Sequence, residues 1–426
     1  MFLEHWGEIK DPVHGYVYIT KVEKEVIDSY PVQRLRRLRQ LAGSEYVYPA
    51  ANHTRFEHSV GVMYLSTIFL SNPNISKLLN EEEAQEIRLA ALLHDVGHGP
   101  FSHIYEHLLE RFTSKTHEDL TSWIITSSEL SDKIESLGYD PKKISKLAVG
   151  AYHEEGRSFL DQILRSAVDV DKLDFIVRDT YHTGAEYGFV DIYRLLKTID
   201  VMDGNLALDL GALSAFESFL LARVESFKSI YFHRTSRAVQ IMLAQAMERA
   251  KDELDLLNFE DPDSFLALDD YTTWAMLKNC DSSSEIIRRL ERRDLIKCAY
   301  ERTFQVRDRV ISNIFGNIDI RRNVELEIAR EADVDPSLVI IDVPNVPSVP
   351  YRHSILLEPM EIPLFRKRSD GEKIPLKLED VSEIYNALKG FVNILRIYTE
   401  SKFRKRVSEA AEKIIGDMPF SARISF

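Results

Sequence analysis

The sequence has few cysteines and no long hydrophobic run. Its two cysteines, Cys280 and Cys298, are too few for a disulfide framework or a zinc ribbon, and two free thiols are expected in a reducing cytoplasm. No apolar run approaches the roughly 18 residues that a membrane helix requires, so we expect no membrane span. The first residues, Met1 to Trp6, lack a basic segment followed by an apolar one, so we expect no signal peptide.

Positive charge is also scarce. The chain has 54 lysines and arginines against 68 aspartates and glutamates, which gives a net charge of −14. A nucleic-acid-binding protein needs a basic face, so general binding of nucleic acid is not expected, and an anionic ligand would need a local basic pocket. With 44% hydrophobic and 29% charged residues, the 426 residues predict a soluble protein with one large core and an appended lobe.

Histidines are concentrated in one part of the chain, since six of the 13 lie between His53 and His107. Residues 87–93 are almost all apolar or small, and they predict a helix that is buried nearly all round. This helix delivers His94 and Asp95 into the interior, where each would cost on the order of several kcal/mol without a partner. A divalent cation is a common partner for both a neutral imidazole and a carboxylate.

Two glycines and a proline after Asp95 break this helix, which places His98 and His103 on a tight turn beside the expected ion. Three strings contain these residues and their expected partners: His53-Thr-Arg-Phe-Glu-His58, His94-Asp-Val-Gly-His-Gly-Pro-Phe-Ser-His103 and Asp169-Val-Asp171-Lys172-Leu-Asp174. Their order, a histidine, a His-Asp pair and a distant aspartate, resembles the HD phosphohydrolase superfamily. The longer strings resemble its branch of deoxynucleoside triphosphate triphosphohydrolases, and the similarity extends from about Asp11 to Tyr398.

The resemblance implies a site for one divalent metal ion, held by His58, His94, Asp95 and Asp171. Two imidazoles and two carboxylates suit Mn, Fe, Co, Ni, Zn or Mg, and the sequence does not choose among them. An octahedral ion would keep two positions for water and a phosphate oxygen, and additional Mg would arrive bound to a nucleotide. Considered alone, His58 would instead be a core histidine bonded to a carbonyl group.

His98, His103 and His117 are the expected acid–base and phosphate-contacting residues. The leaving 5′-oxygen of a nucleoside needs a proton, and an imidazolium ion supplies one near neutral pH. His103 is the candidate acid, because Glu106 lies three residues later on a helical turn and would hold its other ring nitrogen. His117 is alternatively an ordinary histidine at the start of a helix.

The resemblance also implies contacts to the substrate. It assigns three cations to the triphosphate, two residues to the side of the sugar that would carry a 2′-hydroxyl, and a glutamine–leucine pair to the sugar. These residues are Arg55, Lys172 and Arg223, then Asp179 and Tyr231, and finally Gln40 and Leu41. Arg55 and Arg223 are alternatively members of structural ion pairs. Phe175 stands where the family commonly has a tyrosine, so one phosphate hydrogen bond is expected to be lost.

A basic run near the start of the chain matches an allosteric nucleotide site of the same family. Asp28, Gln33 and Arg36 have the spacing of residues that recognise guanine, whose donors and acceptors they would complement. Lys10 replaces an asparagine of that site. The alternatives are a solvated basic face or a constitutive salt-bridged interface.

A second effector site of the mammalian relatives is only partly kept. His233 and Arg234 match this site, whereas Gly211 and Ala215 stand where further cations are expected. The chain therefore lacks part of the charge that would bind a second effector.

The pattern of apolar residues predicts a mainly α-helical fold, with a helical HD-domain core, a short N-terminal β-hairpin and a small C-terminal α+β lobe. We expect a helical HD phosphohydrolase domain over 1–324 and the small lobe over 325–426. Helices are predicted at 22–41 with a break near Pro31, 57–70, 82–95, 142–155, 161–179, 206–256 (a long pair), 284–303 and 379–388. Strands are predicted at 15–19, 338–343, 354–357, 363–365 and 390–399.

The sequence thus predicts metal-dependent hydrolysis of deoxynucleoside triphosphates to deoxynucleoside and triphosphate. The resemblance adds assembly into a homo-oligomer, a dimer or tetramer, and activation by a guanine nucleotide. The expected location is the cytoplasm. Two alternatives stay open: hydrolysis of another nucleotide, such as a guanosine ribonucleotide or a di- or monophosphate, and a non-enzymatic nucleotide sensor or nucleic-acid-binding protein. The intact ligand set and three nearby histidines argue against a binder, because binding alone needs no acid–base groups.

Overall fold

The computed structural model describes residues 3–306, 317–347, 363–388 and 391–416. These residues form a mainly helical protein with a few small sheets, as the sequence predicted. Within these ranges, no helix combines the length and the apolar character that crossing a bilayer requires.

The helices up to residue 291 form the main body, and most of their apolar residues belong to one continuous core. These helices are α1 (Lys21–Ile27), α2 (Tyr30–Arg34), α3 (Arg55–Leu70), α4 (Pro73–Ser76), α5 (Glu81–Leu93), α6 (His103–Thr113), α7 (His117–Ser127), α8 (Glu129–Ser136), α9 (Pro141–Ala148), α10 (Phe159–Gln162), α11 (Val170–Thr183), α12 (Ile192–Thr198), α13 (Leu213–Ser226), α14 (Arg234–Ala250), α15 (Pro262–Leu266), α16 (Asp270–Asn279) and α17 (Ser284–Glu291). Helix α3 packs against α5 on one side and α11 on the other, and this trio positions the histidine-rich strings.

Two small sheets border the helical body. Strands β1 (Gly7–Asp11) and β2 (Gly15–Ile19) form the predicted N-terminal hairpin, with Gly7 opposite Ile19. Strands β3 (Ile199–Met202) and β4 (Asn205–Asp209) form a second hairpin. This hairpin is extended by β8 (Leu364–Lys367), which is parallel to β4, and by β9 (Lys373–Leu376), which is antiparallel to β8.

The third sheet is antiparallel and has its own core. It contains β5 (Lys297–Val306), β6 (Ile340–Asp342), β7 (Asn345–Pro347) and β10 (Phe391–Thr399), with β10 paired to the other three. Helices Ile318–Ala332 and Arg404–Ile415 cover it, and shorter helices span Leu378–Val381 and Glu383–Leu388. In this sheet, β5 precedes residue 325 and the other strands follow it. In the second sheet, β3 and β4 precede residue 325, and β8 and β9 follow it. Both sheets therefore contain strands from both sides of the predicted boundary. The division at 324/325 stays a prediction.

Two predicted helices are divided into shorter elements in the structure. The predicted helix at 161–179 is wrong as one element, because Asp169 has extended backbone and caps α11 by accepting from the Lys172 N–H at 2.7 Å. The predicted helix at 22–41 is divided at Ser29, where the backbone is again extended, which agrees with the break predicted near Pro31. It also ends at Arg37, after a short 3-10 turn, because the next residues pair with the segment around Thr54.

Three further boundaries are corrected by the structure. The helix predicted at 142–155 ends at Ala148, just before Gly150 with φ +63°. The pair predicted at 206–256 begins instead with strand β4, and a π-helical segment, Phe227–Tyr231, separates α13 from α14. The helix predicted at 284–303 ends at Glu291 and is followed by β5. The strand predicted at 354–357 lies outside the described residues.

Candidate active site

The four predicted metal ligands come from three places in the chain and meet at one buried point. His58 lies on α3, His94 and Asp95 follow α5, and Asp171 is in the first turn of α11. The His58 Nε2 atom lies 3.3 Å from His94 Nε2 and 3.0 Å from Asp171 Oδ1. His94 Nε2 lies 3.3 Å from Asp95 Oδ1.

Hydrogen bonds on the far side of both rings leave their Nε2 atoms for a cation. The Nδ1 atom of His58 lies 2.8 Å from Asp174 Oδ2, and that of His94 lies 2.8 Å from the Ala91 carbonyl oxygen. A ring that donates through Nδ1 presents the lone pair of Nε2, which is the arrangement of metal-binding histidines. Two facing imidazole nitrogens and two carboxylates therefore fit a divalent cation that accepts mixed nitrogen and oxygen ligands.

Asp174 connects this site to the N-terminal hairpin. Besides His58, its carboxylate contacts His14 Nε2 at 2.6 Å and Arg178 at 2.8 and 2.9 Å. Arg178 also bonds Asp11 at 2.8 Å, so the turn between β1 and β2 is joined to the metal-ligand region through buried charges. The close approach of α3 and α11 requires Gly61, because a Cβ atom there would lie 2.0 Å from Asp174 Oδ1.

Neighbouring charges and hydrogen bonds shift the pKa values of two residues in the ligand set, His58 and Asp171. Burial lowers the pKa of His58, but hydrogen bonds to Asp171 and Asp174 outweigh burial and raise the pKa to about 10. For Asp171, burial raises the pKa, but the hydrogen bond to His58 and nearby positive charge outweigh burial and lower the pKa to about 2, so the carboxylate is ionised at neutral pH. A cation at this site would therefore displace a proton from His58, which makes metal affinity depend on pH.

The three predicted acid–base histidines lie together beside the ligand set. His98 and His117 stack with ring centroids 4.1 Å apart, and His103 approaches the His98 ring edge-on at 5.3 Å. Glu106 contacts Nδ1 of both His103, at 3.0 Å, and His117. The sequence predicted the contact to His103 but not the second one, because His117 lies on α7.

Stacked His98 and His117 have opposite proton affinities. Burial lowers the pKa of His98 well below its usual value, and Arg55 and His117 lower it further. Burial also lowers the pKa of His117, but the hydrogen bond to Glu106 outweighs it and the net shift is upward. His98 is therefore neutral and His117 holds its proton more readily, so the cluster contains both a proton acceptor and a proton donor.

The structure corrects the predicted position of His103. This residue is the first of α6 and does not lie within the turn after Asp95.

Several substrate-binding predictions fall on buried polar atoms that have no protein partner among the described residues. These atoms are Gln40 Oε1, Arg55 Nη2, and Nε and Nη1 of Arg223. Arg55 also bonds Asp95 at 2.5 Å and Ser102 at 2.8 Å, so the ion pair considered from the sequence is present, with one nitrogen left over. Lys172 is paired with Asp169 at 2.5 Å. A buried donor without a partner is costly, and a bound anion would satisfy the free nitrogens of Arg55 and Arg223, whereas Gln40 Oε1 needs a donor such as a hydroxyl group.

The two predicted sugar-selecting residues touch each other. The Tyr231 hydroxyl donates to Asp179 Oδ2 at 2.5 Å, and the other Asp179 oxygen lies 2.7 Å from His53 Nε2. His53 was noted from the sequence only as part of a string, and its position orients Asp179. Leu41 belongs to a small apolar cluster packed by Tyr231, and the Phe175 ring meets Tyr231 edge-on at 6.3 Å.

The predicted effector residues of the first site form polar contacts within the N-terminal helical segment. Arg36 Nε donates to Gln33 Oε1 at 2.9 Å, and its guanidinium lies 3.5 Å from the centre of the Phe56 ring. Asp28 is paired with Lys24 at 3.0 Å. At the second predicted site, His233 caps α14, and Arg234 is the exposed first residue of that helix.

A helical body with a buried His, His-Asp and Asp ligand set defines the HD class of proteins. The chain belongs to the HD-domain family: residues 55–177 match the HD domain, and residues 190–417 match the HD associated region. The first match contains all four predicted metal ligands and the three acid–base histidines.

Three relatives are similar to this chain over about two thirds of its length or more. An uncharacterized protein of Methanocaldococcus jannaschii is 28% identical over 96% of this chain and 82% of its own length. The deoxynucleoside triphosphate triphosphohydrolase SAMHD1 homolog of Dictyostelium discoideum is 31% identical over 68% of this chain, and human SAMHD1 is 27% identical over 79%. The alignments span 59% and 60% of those two proteins.

Solved structures share the fold over nearly the whole chain. A hypothetical protein from Aquifex aeolicus superposes with a TM-score of 0.76 and 27% identity, covering 95% of this chain and 99% of that one. A phosphohydrolase from Bacteroides thetaiotaomicron superposes with a TM-score of 0.72 and 24% identity, covering 92% and 99%, and supports the fold alone.

Proposed function

We propose that this protein is a metal-dependent phosphohydrolase that cleaves deoxynucleoside triphosphates to deoxynucleoside and triphosphate. The observation that carries the proposal is the position of the Glu106-bridged histidines, whose neighbour His98 lies 3.4 Å from Asp95, beside the clustered ligand atoms of His58, His94 and Asp95 and the adjacent Asp171. Phosphoryl transfer requires positioning, charge neutralisation and proton transfer, and this arrangement supplies groups for each. The names of the SAMHD1 relatives support the choice of substrate.

The residues of the site take distinct roles in this proposal. A divalent ion held by the four ligands would polarise a phosphate oxygen and lower the pKa of a bound water. Arg55, Arg223 and Lys172 bind the triphosphate. His103 remains the proposed proton donor to the leaving 5′-oxygen, because its Nδ1 is held by Glu106 and its side chain, 70% exposed, is accessible. Charge on His117 assists this transfer.

The bond cleaved is tested with 18-oxygen water and metal-reconstituted protein. We expect the label in triphosphate, because water attacks the α-phosphorus and the 5′-oxygen leaves with the nucleoside. Anion exchange separates the products of each dNTP and NTP, and mass spectrometry locates the label. Orthophosphate or pyrophosphate as the first product would contradict the proposed reaction, and turnover of ribonucleotides alone would favour the other nucleotide substrates considered above.

Selection of the sugar is proposed to depend on the Tyr231 ring held against Asp179. Tyr231→Ala should lower the ratio of kcat/KM for dNTP over NTP by about 10- to 100-fold, because the ring no longer clashes with a 2′-hydroxyl. Tyr231→Phe is the matched control, since it keeps the ring and loses only the hydroxyl, and it should retain most of the selectivity. An unchanged ratio in the alanine variant would place the discriminating contact elsewhere.

Guanine-nucleotide activation of a homo-oligomer is also proposed, from the exposed Asp28 beside the paired Gln33 and Arg36. A ligand that binds only the assembled form stabilises that form by mass action, so GTP or dGTP should raise the oligomer population and the dNTP hydrolysis rate together. Light scattering and activity are measured on the wild type and on Arg36→Ala. If neither responds to guanine nucleotide in the wild type, these residues are only an interface or a solvated face.

A further inference from the structure

Asp270 joins two segments of the proposed active site that are distant in sequence. It is the first residue of α16 and only 6% exposed. Its two carboxylate oxygens accept from different backbone N–H groups, Oδ1 from Phe101 at 2.7 Å and Oδ2 from Arg39 at 2.9 Å. Phe101 lies two residues before His103, and Arg39 directly precedes Gln40.

The segment before His103 needs external support to keep its conformation. Phe101 and Ser102 have φ values of +58° and +56°, in a region that residues with a Cβ atom rarely adopt. Such backbone persists only where the surrounding structure fixes it, and it is often found at functional sites. The Asp270 carboxylate accepts a hydrogen bond from the backbone N–H of Phe101, the first of these two residues.

A second contact joins the same two segments from the other side. The Ser102 hydroxyl donates to the Arg39 carbonyl oxygen at 2.9 Å and accepts from Arg55 Nε at 2.8 Å. The backbone N–H of Arg39 therefore bonds Asp270, which also bonds the strained turn, and the carbonyl oxygen of Arg39 bonds Ser102 within that turn. Asp270 is the acidic partner in this set. Burial raises the pKa of Asp270 to about 6, against the opposing effect of the two N–H bonds, so the carboxylate is mainly ionised at neutral pH. An ionised carboxylate makes shorter and stronger bonds to N–H groups than a neutral acceptor does.

We propose that Asp270 is a positioning residue that fixes the turn leading into His103 against the segment leading into Gln40. The proton donor and the sugar contact then face the same nucleotide at a set separation. This role rests on the proposed function, since it concerns how that site is assembled. Only an acceptor with two free oxygens serves both N–H groups, whereas an asparagine would direct its own N–H₂ group at one of them.

The experiment compares Asp270→Asn with the matched control Asp269→Asn. Asp269 is the N-cap of the same helix and pairs with Arg37, and it contacts neither Phe101 nor Arg39. In Asp270→Asn we expect kcat for a dNTP to fall by about 10- to 100-fold with a smaller change in KM, because the misplacement affects the transition state most. Metal content should be unchanged, since the four metal ligands are not among the contacts of Asp270.

Backbone hydrogen exchange gives a readout that does not depend on turnover. In Asp270→Asn, peptides covering residues 37–41 and 97–103 should exchange faster together, whereas in Asp269→Asn they should exchange as in the wild type. Faster exchange with unchanged kcat, or a loss of kcat equal in both variants, would overturn the positioning role. If the wild type hydrolyses no dNTP, the proposed function fails, and the exchange of the two peptides alone decides whether Asp270 joins them.

Discussion

Asp171→Ala is expected to remove the metal ion and to lower turnover by more than about a thousandfold. Asp171 supplies the carboxylate that lies 3.0 Å from His58 Nε2, and it comes from a different helix than the other three ligands. The fold should survive, because the side chain is 29% exposed and the cap of α11 is provided by Asp169. Turnover should therefore be lost without unfolding.

Elemental analysis, thermal unfolding and dNTP hydrolysis together test this expectation. Asp132→Ala is the control, since Asp132 is an exposed carboxylate on α8 away from the ligand set. It should bind metal and turn over substrate as the wild type does. If Asp171→Ala still binds about one ion per chain, the assignment of Asp171 as a ligand is wrong.

Asp174→Asn is expected to lower both the stability of the protein and its affinity for metal. The substitution keeps the side-chain volume but leaves Arg178, His14 and His58 without their shared carboxylate. Breaking a buried ion pair by removing one partner costs about 3–5 kcal/mol of the free energy of unfolding. Replacing the carboxylate that faces His58 Nδ1 by a neutral amide should lower metal affinity about 10- to 100-fold.

Denaturant unfolding and metal titration measure these two effects. The control is Asp200→Asn, a buried carboxylate whose salt-bridge partner, Lys373, is partly exposed, and its stability loss should be clearly smaller. Equal losses in the two variants, or wild-type metal affinity in Asp174→Asn, would show that Asp174 does not join the hairpin to the ligand site.

The stability difference should also depend on pH. Burial alone would raise the pKa of Asp174, but Arg178, His14 and His58 hold it well below its usual value. A lowered pKa in the folded state means that the ionised carboxylate stabilises the fold above the unfolded pKa of about 4 and loses this contribution as the pH falls toward the folded value. The difference between wild type and Asp174→Asn should therefore be largest near neutral pH and shrink below about pH 4.

Local sequence patterns determined much of the fold. The apolar run before His94 predicted a buried helix, and α5 is buried from Ala84 to Leu93. The strand pattern at 15–19 predicted the N-terminal hairpin that β1 and β2 form. These features depend on neighbours within a few residues, so composition and spacing are enough to predict them.

The motif strings indicated the candidate site residues, and the structure brings the ligand set and the acid–base histidines together. The sequence also contains a signal for two further details of the structure, the roles of Asp174 and Asp169. Asp174 follows Asp171 by three residues in the third motif string, which is a same-face spacing on a helix, and in the structure both carboxylates contact His58. The helix predicted at 161–179 is interrupted at Asp169, whose side chain is the N-cap of α11. Aspartate is a common N-cap residue, but a count of apolar residues does not detect it.

Only the tertiary structure decided which distant groups complete the site. His14 reaches Asp174, Glu106 reaches His117, and Asp270 reaches Phe101 across the packed helices. Each is a single residue without periodicity or motif spacing relative to its partner. Their contacts follow from how α3, α5, α6, α11 and α16 pack, because a hydrogen bond requires atoms within about 3 Å, and only the folded chain sets that distance.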